Sequence, residues 1–177
     1  MGSTQLTAEV AMPAPGLLQR LAKLGLGVAA RLAFLAPLLA RVTVGYAFFL
    51  TGRGKLGNLD TFTQFLSELG VPFAAQQAPF IAGLEFLGGI CLVIGLLTRV
   101  MSTALLGTMV VALMTADREN FLKAWLPTGD IGPLDVAPWV FSLLLIWLAT
   151  YGPGAVSLDR FLARWVGVGP EAEKPQA

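Results

Sequence analysis

Four stretches of this chain run almost without charge over lengths that match the hydrocarbon core of a bilayer. Leu32–Thr51 and Pro79–Thr98 have 20 residues each, and Val100–Ala116 and Val136–Gly152 have 17 each. A core about 30 Å thick needs roughly 17–25 residues of helix, so each stretch predicts a crossing. Composition agrees. Of 177 residues, 55% are hydrophobic and 13% charged, against roughly 25% charged in an average soluble domain, and mean hydropathy is +0.72. A water-soluble chain this small has proportionally more surface to cover with polar groups. The predicted fold class is therefore an all-α membrane protein, a four-transmembrane-helix bundle with short interfacial amphipathic helices. Its membrane domain would cover residues 17–166, with spans near 32–51, 79–98, 100–116 and 136–152, between disordered tails at 1–16 and 167–177. No internal repeat is visible, which leaves an inverted-repeat transporter without support.

Three weaker segments flank the spans. Leu17, Leu18, Leu21 and Leu24 share one helical face, with Gln19, Arg20 and Lys23 off it. Phe62, Phe65, Leu66 and Leu69 recur at i, i+3, i+4 and i+7, with Asp60 as the expected N-cap and Gly70 and Pro72 as the stop. Leu158, Phe161, Leu162 and Trp165 repeat the pattern after the last span, with Ser157 as the expected N-cap. Such helices lie in the headgroup plane and anchor the bundle. The basic N-terminal region resembles a signal peptide only superficially. Arg31 and Arg41 interrupt the apolar run, and the run has full spanning length, so an uncleaved first span is expected.

Orientation follows from the lysines and arginines of the short loops. Arg20, Lys23, Arg31, Arg99, Arg160, Arg164 and Lys174 fall on one side, and Arg53, Lys55, Arg118 and Lys123 on the other. Seven against four places both termini in the cytoplasm. Trp125 and Trp139 then fall near the outer ends of spans, where indoles favour the interface.

The net charge of +1 gives no footprint for nucleic acid. The chain has no histidine and one cysteine, Cys91. That inventory removes histidine-ligated haem, histidine acid–base chemistry and any CxxC redox pair, and predicts no metal site and no covalently bound cofactor. Met101, Met109 and Met114 read as packing, and Cys91 as inert. Two ionisable residues fall inside spans, Arg41 and Glu85. If Thr51 and Pro79 mark the same membrane level, the two differ in depth by only about 6 Å, within an arginine's reach. An Arg41–Glu85 contact is therefore expected, either as a buried polar site for a quinone headgroup, proton or anion, or as an ion pair that only fixes register. Arg41, Gly45, Phe48, Gly52 and Lys55 form one stripe, and Glu85, Gly88, Gly89, Leu92 and Gly95 another, both small-residue faces suited to helix contact. Lys55 joins Arg41 and Glu85 as a candidate site residue. Arg53, Asp117 and Asn120 form a candidate polar cluster at the outer surface. The segment around Gly52 and Gly54 matches neither phosphate-binding glycine motif.

These segments carry a resemblance. Arg41-Val-Thr-Val-Gly45, Thr51-Gly52-Arg53-Gly54-Lys55-Leu56, Glu85-Phe-Leu-Gly-Gly89 through Gly95-Leu-Leu-Thr-Arg99, and Gly152-Pro-Gly154 with Ser157-Leu-Asp159 follow, in order and spacing, the pattern of the DoxX family of small four-helix membrane proteins. The resemblance covers roughly residues 37–160. It implies a multi-pass protein of a bacterial or archaeal plasma membrane, working beside quinone-linked or thiol-linked oxidoreductases, some relatives being subunits of such complexes. Quinone is the implied ligand, and other membrane subunits and the bilayer are the implied partners. Where relatives commonly carry histidine, this chain has Thr51, which favours an accessory role over independent catalysis. The alternatives are a structural or assembly subunit without ligand, and a small-solute carrier.

Overall fold

The computed structural model describes residues 16–127 and 131–166. The expected tails lie almost wholly outside them. The chain divides into two units, residues up to Ala33 and Phe34 onwards. Helix α1 (Leu17–Leu32) makes up the first. The second holds α2 (Leu35–Gly57), α3 (Leu59–Glu68), α4 (Ala74–Ile94), α5 (Thr98–Met114), α6 (Arg118–Lys123), a single 3₁₀ turn (Pro133–Asp135), α7 (Ala137–Tyr151) and α8 (Leu158–Trp165). The described residues are helical or irregular, without strands.

Helices α2, α4, α5 and α7 share one core, built from Val44 and Phe48, Leu92, Leu105 and Met109, and Leu145. Each contributes a stripe at helical spacing; on α5 it is Thr98, Ser102, Leu105, Met109 and Leu113. The opposite faces are apolar and bare: Leu39, Tyr46 and Leu50 on α2 and Phe80, Leu87 and Ile94 on α4 are exposed. The stretches Leu24–Gly57 and Ala74–Ile94 are long and apolar enough to cross a membrane, and only 28% and 33% of their most apolar windows are buried. A helix that apolar with most of its surface uncovered suits lipid rather than water. Helices α5 and α7 are apolar but shorter, at 17 and 15 residues, the latter about 22 Å long.

The bounds of the first two expected spans move. α2 continues six residues past Thr51, to Gly57. α4 begins at Ala74 with Pro79 inside it, and stops at Ile94 rather than Thr98. The stop is chemical. Gly95 takes φ +74°, and the Leu96 and Gly95 amides donate back to the Cys91 and Leu92 carbonyls at 2.8 and 3.2 Å, a Schellman closure that suits a residue without Cβ. The expected amphipathic helices are present. For α3 the cap position is Asn58 rather than Asp60, which lies in the first turn, and no side chain caps it. On α8 Ser157 is the cap: its Oγ accepts from the Arg160 amide at 3.2 Å. Phe121, Trp125 and Trp139 form a tilted and edge-to-face cluster, with ring centres 5.5–6.3 Å apart.

α2 and α4 pack backbone to backbone. A Cβ on Gly89 would meet the Phe49 amide and lie 2.6 Å from the Gly45 carbonyl oxygen, and one on Gly45 would lie 2.8 Å from the Gly89 carbonyl oxygen. One on Gly52 would fall on the Phe86 backbone. Gly89→Ala is therefore expected to destabilise the protein in detergent by about 1–3 kcal/mol, the usual effect of overpacking. Gly107→Ala on α5, where a Cβ would meet nothing within 4 Å, should be neutral or stabilising by about 0.5–1 kcal/mol. Paired thermal or denaturant melts measure the difference.

Candidate functional site

The glycine contacts fix the register of α2 against α4. Gly52 lies against Glu85 and Phe86, Gly45 against Gly89, Leu92 and Val93, and Arg41 against Gly95. Glu85 thus sits opposite Gly52, about two turns from where equal levels for Thr51 and Pro79 would put it. The expected Arg41–Glu85 contact does not form. Arg41 lies 14 residues before Lys55 on α2, about 21 Å along the axis, and the carboxylate is at the Lys55 end.

There Lys55 Nζ donates to both oxygens of Glu85, at 2.6 and 2.7 Å. The carboxylate side chain is 2% exposed and the lysine side chain 31%. The pair combines a buried anion with a cation that still reaches the cavity. The ammonium also stands 4.8 Å from the centre of the Phe62 ring, a cation–π contact. Two adjoining cavities share Lys55, Glu85, Met109 and Pro138 as walls. The smaller, about 140 Å³, is closed by Phe48, Thr51 and Phe141. The larger, about 330 Å³, is closed by Phe62, Phe65 and Leu66 of α3 and by Thr115 and Asp117 beyond α5. α3 does more than anchor. Leu66 is buried, and the helix roofs the ion pair with its apolar face.

At the other end Arg41 is 2% exposed and bonds no carboxylate. Its Nη1 and Nη2 donate to the Pro153 and Val156 carbonyls, both at 2.7 Å. This ties α2 to the α7–α8 link. Asp159 completes the joint: its two oxygens accept from the Leu97 and Thr98 amides at 2.6 and 2.9 Å, and its own amide donates to the Gly95 carbonyl at 2.9 Å. Leu97, at φ +50°, is held in the left-handed region by that carboxylate. A Cβ on Gly95 would fall on the Arg41 guanidinium. Arg41 Nε, Thr98 Oγ1 and Ser102 Oγ are buried without partners among the described residues. The geometry is that of a clamp between chain segments, with the Arg41 guanidinium held by two peptide carbonyls.

The expected outer cluster makes no ion pair among the described residues. Arg53 is exposed, and so is Asn120. Asp117 lines the larger cavity. The described ion pairs are Lys55–Glu85 and Lys123–Glu119. Thr51 lines the smaller cavity, its Oγ1 donating to the Phe48 carbonyl at 3.1 Å. Asp159 and the carbonyls of Pro153 and Val156 escaped the sequence reading. The only signal was the Gly152-Pro-Gly154 and Ser157-Leu-Asp159 pattern, which marks a built turn without saying what it holds.

A mutant cycle separates the two assignments. Glu85→Gln or Lys55→Met alone strands one member of a largely buried pair, an effect of about 3–5 kcal/mol where burial is complete. The double variant should recover much of the loss. The cycle of Arg41→Met with Glu85→Gln should be additive within about 0.5 kcal/mol. Denaturant melts in detergent read both cycles; coupling in the second would contradict the register.

Comparison with known proteins agrees with this architecture. The DoxX family model matches residues 36–118, which include Arg41, Lys55, Glu85 and Asp117. "Inner membrane protein YphA" of Escherichia coli (strain K12) is 31% identical over 131 residues, 70% of this chain and 87% of that protein. "Putative oxidoreductase CatD" of Bacillus subtilis (strain 168) is 32% identical over 128 residues, 72% and 87% of the two chains. "Inner membrane protein YqjF" of Escherichia coli (strain K12) is 32% identical over 127 residues, 71% and 90%. No solved structure matches the chain significantly. With most of each relative's length aligned and the family model spanning α2 to α5, the chain belongs to the DoxX family of membrane proteins.

Proposed function

We propose that this protein is an integral subunit of the bacterial inner membrane that shapes a quinone site for a larger oxidoreductase. The observation that carries the reading is the Lys55–Glu85 pair, set as the one charged element in the wall shared by two apolar cavities. A quinone headgroup is flat and apolar with carbonyl acceptors at its edge. Phe48, Phe62, Phe65 and Phe141 supply apolar walls, and the Lys55 ammonium supplies a donor. Lysine has three donors, and two point at Glu85. Glu85 holds the ammonium in place, and α3 limits water. The quinone, when bound, supplies the two-electron chemistry. The names of the relatives support the setting: two are called inner membrane proteins and one is named "Putative oxidoreductase CatD". Protein extracted in a mild detergent should retain quinone detectable by mass spectrometry of the organic extract. Lys55→Met should lose it while Arg53→Gln keeps it. Equal quinone content in the wild type and Lys55→Met would end this reading.

A second reading is an assembly subunit without ligand. It is favoured by Arg41, whose two Nη groups both serve the joint between α2 and the α7–α8 link. Partner subunits copurifying with a quinone-free protein would select it.

In either reading α2, α4, α5 and α7 are the four crossings, with both termini cytoplasmic. In a Cys91→Ser background, Asn58→Cys should react with an impermeant thiol reagent from outside only, and Val100→Cys from the cytoplasmic side. Labelling of position 58 from the cytoplasm would invert the topology.

A further inference from the structure

The joint built around Asp159 leaves a groove that carries Arg99 in its wall. Leu97, Arg99, Val100, Pro153 and Asp159 line a space of about 280 Å³. Arg99 is exposed, and its Nε and Nη2 lie 3.1 and 3.3 Å from where a Cβ on Gly152 would stand. The guanidinium is thus laid across the Gly152 backbone. It makes no ion pair with any described residue. The acid beside it does not answer it: both Asp159 oxygens accept from the Leu97 and Thr98 amides. Arg160 and Arg164 on α8 add two further cations without acidic partners among the described residues. Leu97 and Val100 in its wall are apolar and exposed.

From the groove an exposed track runs along α5. Val100, Thr103, Gly107, Val110 and Met114 follow steps of three, four, three and four, and all are exposed. The track is about 21 Å long, more than half of a 30 Å hydrocarbon core. Gly107, where a Cβ would meet nothing within 4 Å, leaves a shallow slot in it. A planar guanidinium at the head of an apolar track matches one chemistry: a phosphodiester esterified to acyl chains. Arginine binds phosphate oxygens through paired donors, and α8, with an apolar face and basic flank, lies where headgroups lie.

We propose that this groove is a binding site for an anionic phospholipid, its phosphate held by Arg99 and one acyl chain lying along the α5 track. The site rests on the membrane setting and not on the quinone reading. Charge complementarity selects the lipid. The groove holds a cation without an ion-pair partner, while the carboxylate in its wall gives both oxygens to amides and its charge is offset by the buried Arg41, so a net anionic headgroup gains what a zwitterionic one does not. Each basic residue near an anionic surface contributes about five-fold in affinity.

The test is the thermal stabilisation of the full-length protein in detergent, titrated with dioleoyl phosphatidylglycerol, dioleoyl phosphatidylcholine or inorganic phosphate. The wild type should prefer phosphatidylglycerol over phosphatidylcholine by at least about five-fold. Arg99→Gln should abolish the preference, and Arg53→Gln, which removes an exposed charge at the other end of α2, should keep it. Equal response to the two lipids, retention of the preference in Arg99→Gln, or equal stabilisation by inorganic phosphate would overturn the proposal. Should Arg99→Gln fail to fold, the wild type answers alone. Phosphatidylglycerol with a photoreactive acyl chain should label α5 peptides around Val100–Val110, competed by unlabelled phosphatidylglycerol and not by phosphatidylcholine. Labelling elsewhere only would overturn it.

Discussion

The backbone contact of α2 with α4 is what the rest of the molecule depends on. Helices whose interface residues are glycine can touch main chain to main chain, and in an apolar solvent such packing is a principal source of helix association. Gly45, Gly52 and Gly89 make that contact. Because the approach tolerates no Cβ, it permits one register and little sliding. That register decides which charged groups meet. It brings Glu85 to the Gly52 level, one turn from Lys55, and it brings Gly95 to Arg41.

The outcome is a molecule with two polar ends separated by an apolar core. At one end a cation and an anion share a wall of two cavities beneath the apolar face of α3. At the other a buried cation is matched by two carbonyls, and the acid nearby caps the start of α5. The two cations are treated differently for a physical reason. Lysine is a compact charge on a flexible stem, and it can hold a carboxylate while part of it faces a cavity. Arginine presents a planar fork whose separate donors can bind two carbonyls at once. Hydrogen bonds to a charged donor contribute about 1.5–3 kcal/mol each, enough to hold the α7–α8 link against α2. The Lys55 end is open to a ligand, and the Arg41 end is closed around the chain itself.

This division gives the family motifs distinct meanings. Thr51-Gly52-Arg53-Gly54-Lys55-Leu56 supplies a close contact at Gly52 and a cavity cation at Lys55, while Arg53 faces outward. Glu85 through Gly89 supplies the anion and the opposing half of the contact. Gly95 through Arg99 supplies the helix stop, the corner that Asp159 caps, and the outward-facing Arg99. One run of sequence thus serves packing, the cavity and the surface at once.

Much of this was legible in the chain. The apolar stretches, the charge-poor composition and the small-residue stripes determine helices, a membrane setting and the faces that meet, because hydrophobic periodicity and glycine spacing are local properties. Arg41, Gly45, Phe48 and Gly52 do form one buried stripe, and Glu85, Gly88, Gly89 and Leu92 another. Pairing across the stripes was not legible. It depends on the offset between two helices, which span ends do not mark: the six residues by which α2 runs on and the five by which α4 starts early nearly cancel, and the shift is set by the glycine contacts themselves. Seven residues of offset move a side chain about 10 Å, which is the difference between Arg41 and Lys55 as the partner of Glu85. The clamp on Arg41 was hidden for a related reason. Its acceptors are backbone carbonyls, which every residue carries and no sequence distinguishes, and they lie more than a hundred residues away. The sequence determined which residues are apolar, small or charged on each helix face; the tertiary structure alone decided the register, because that is set by steric contact between distant main-chain atoms.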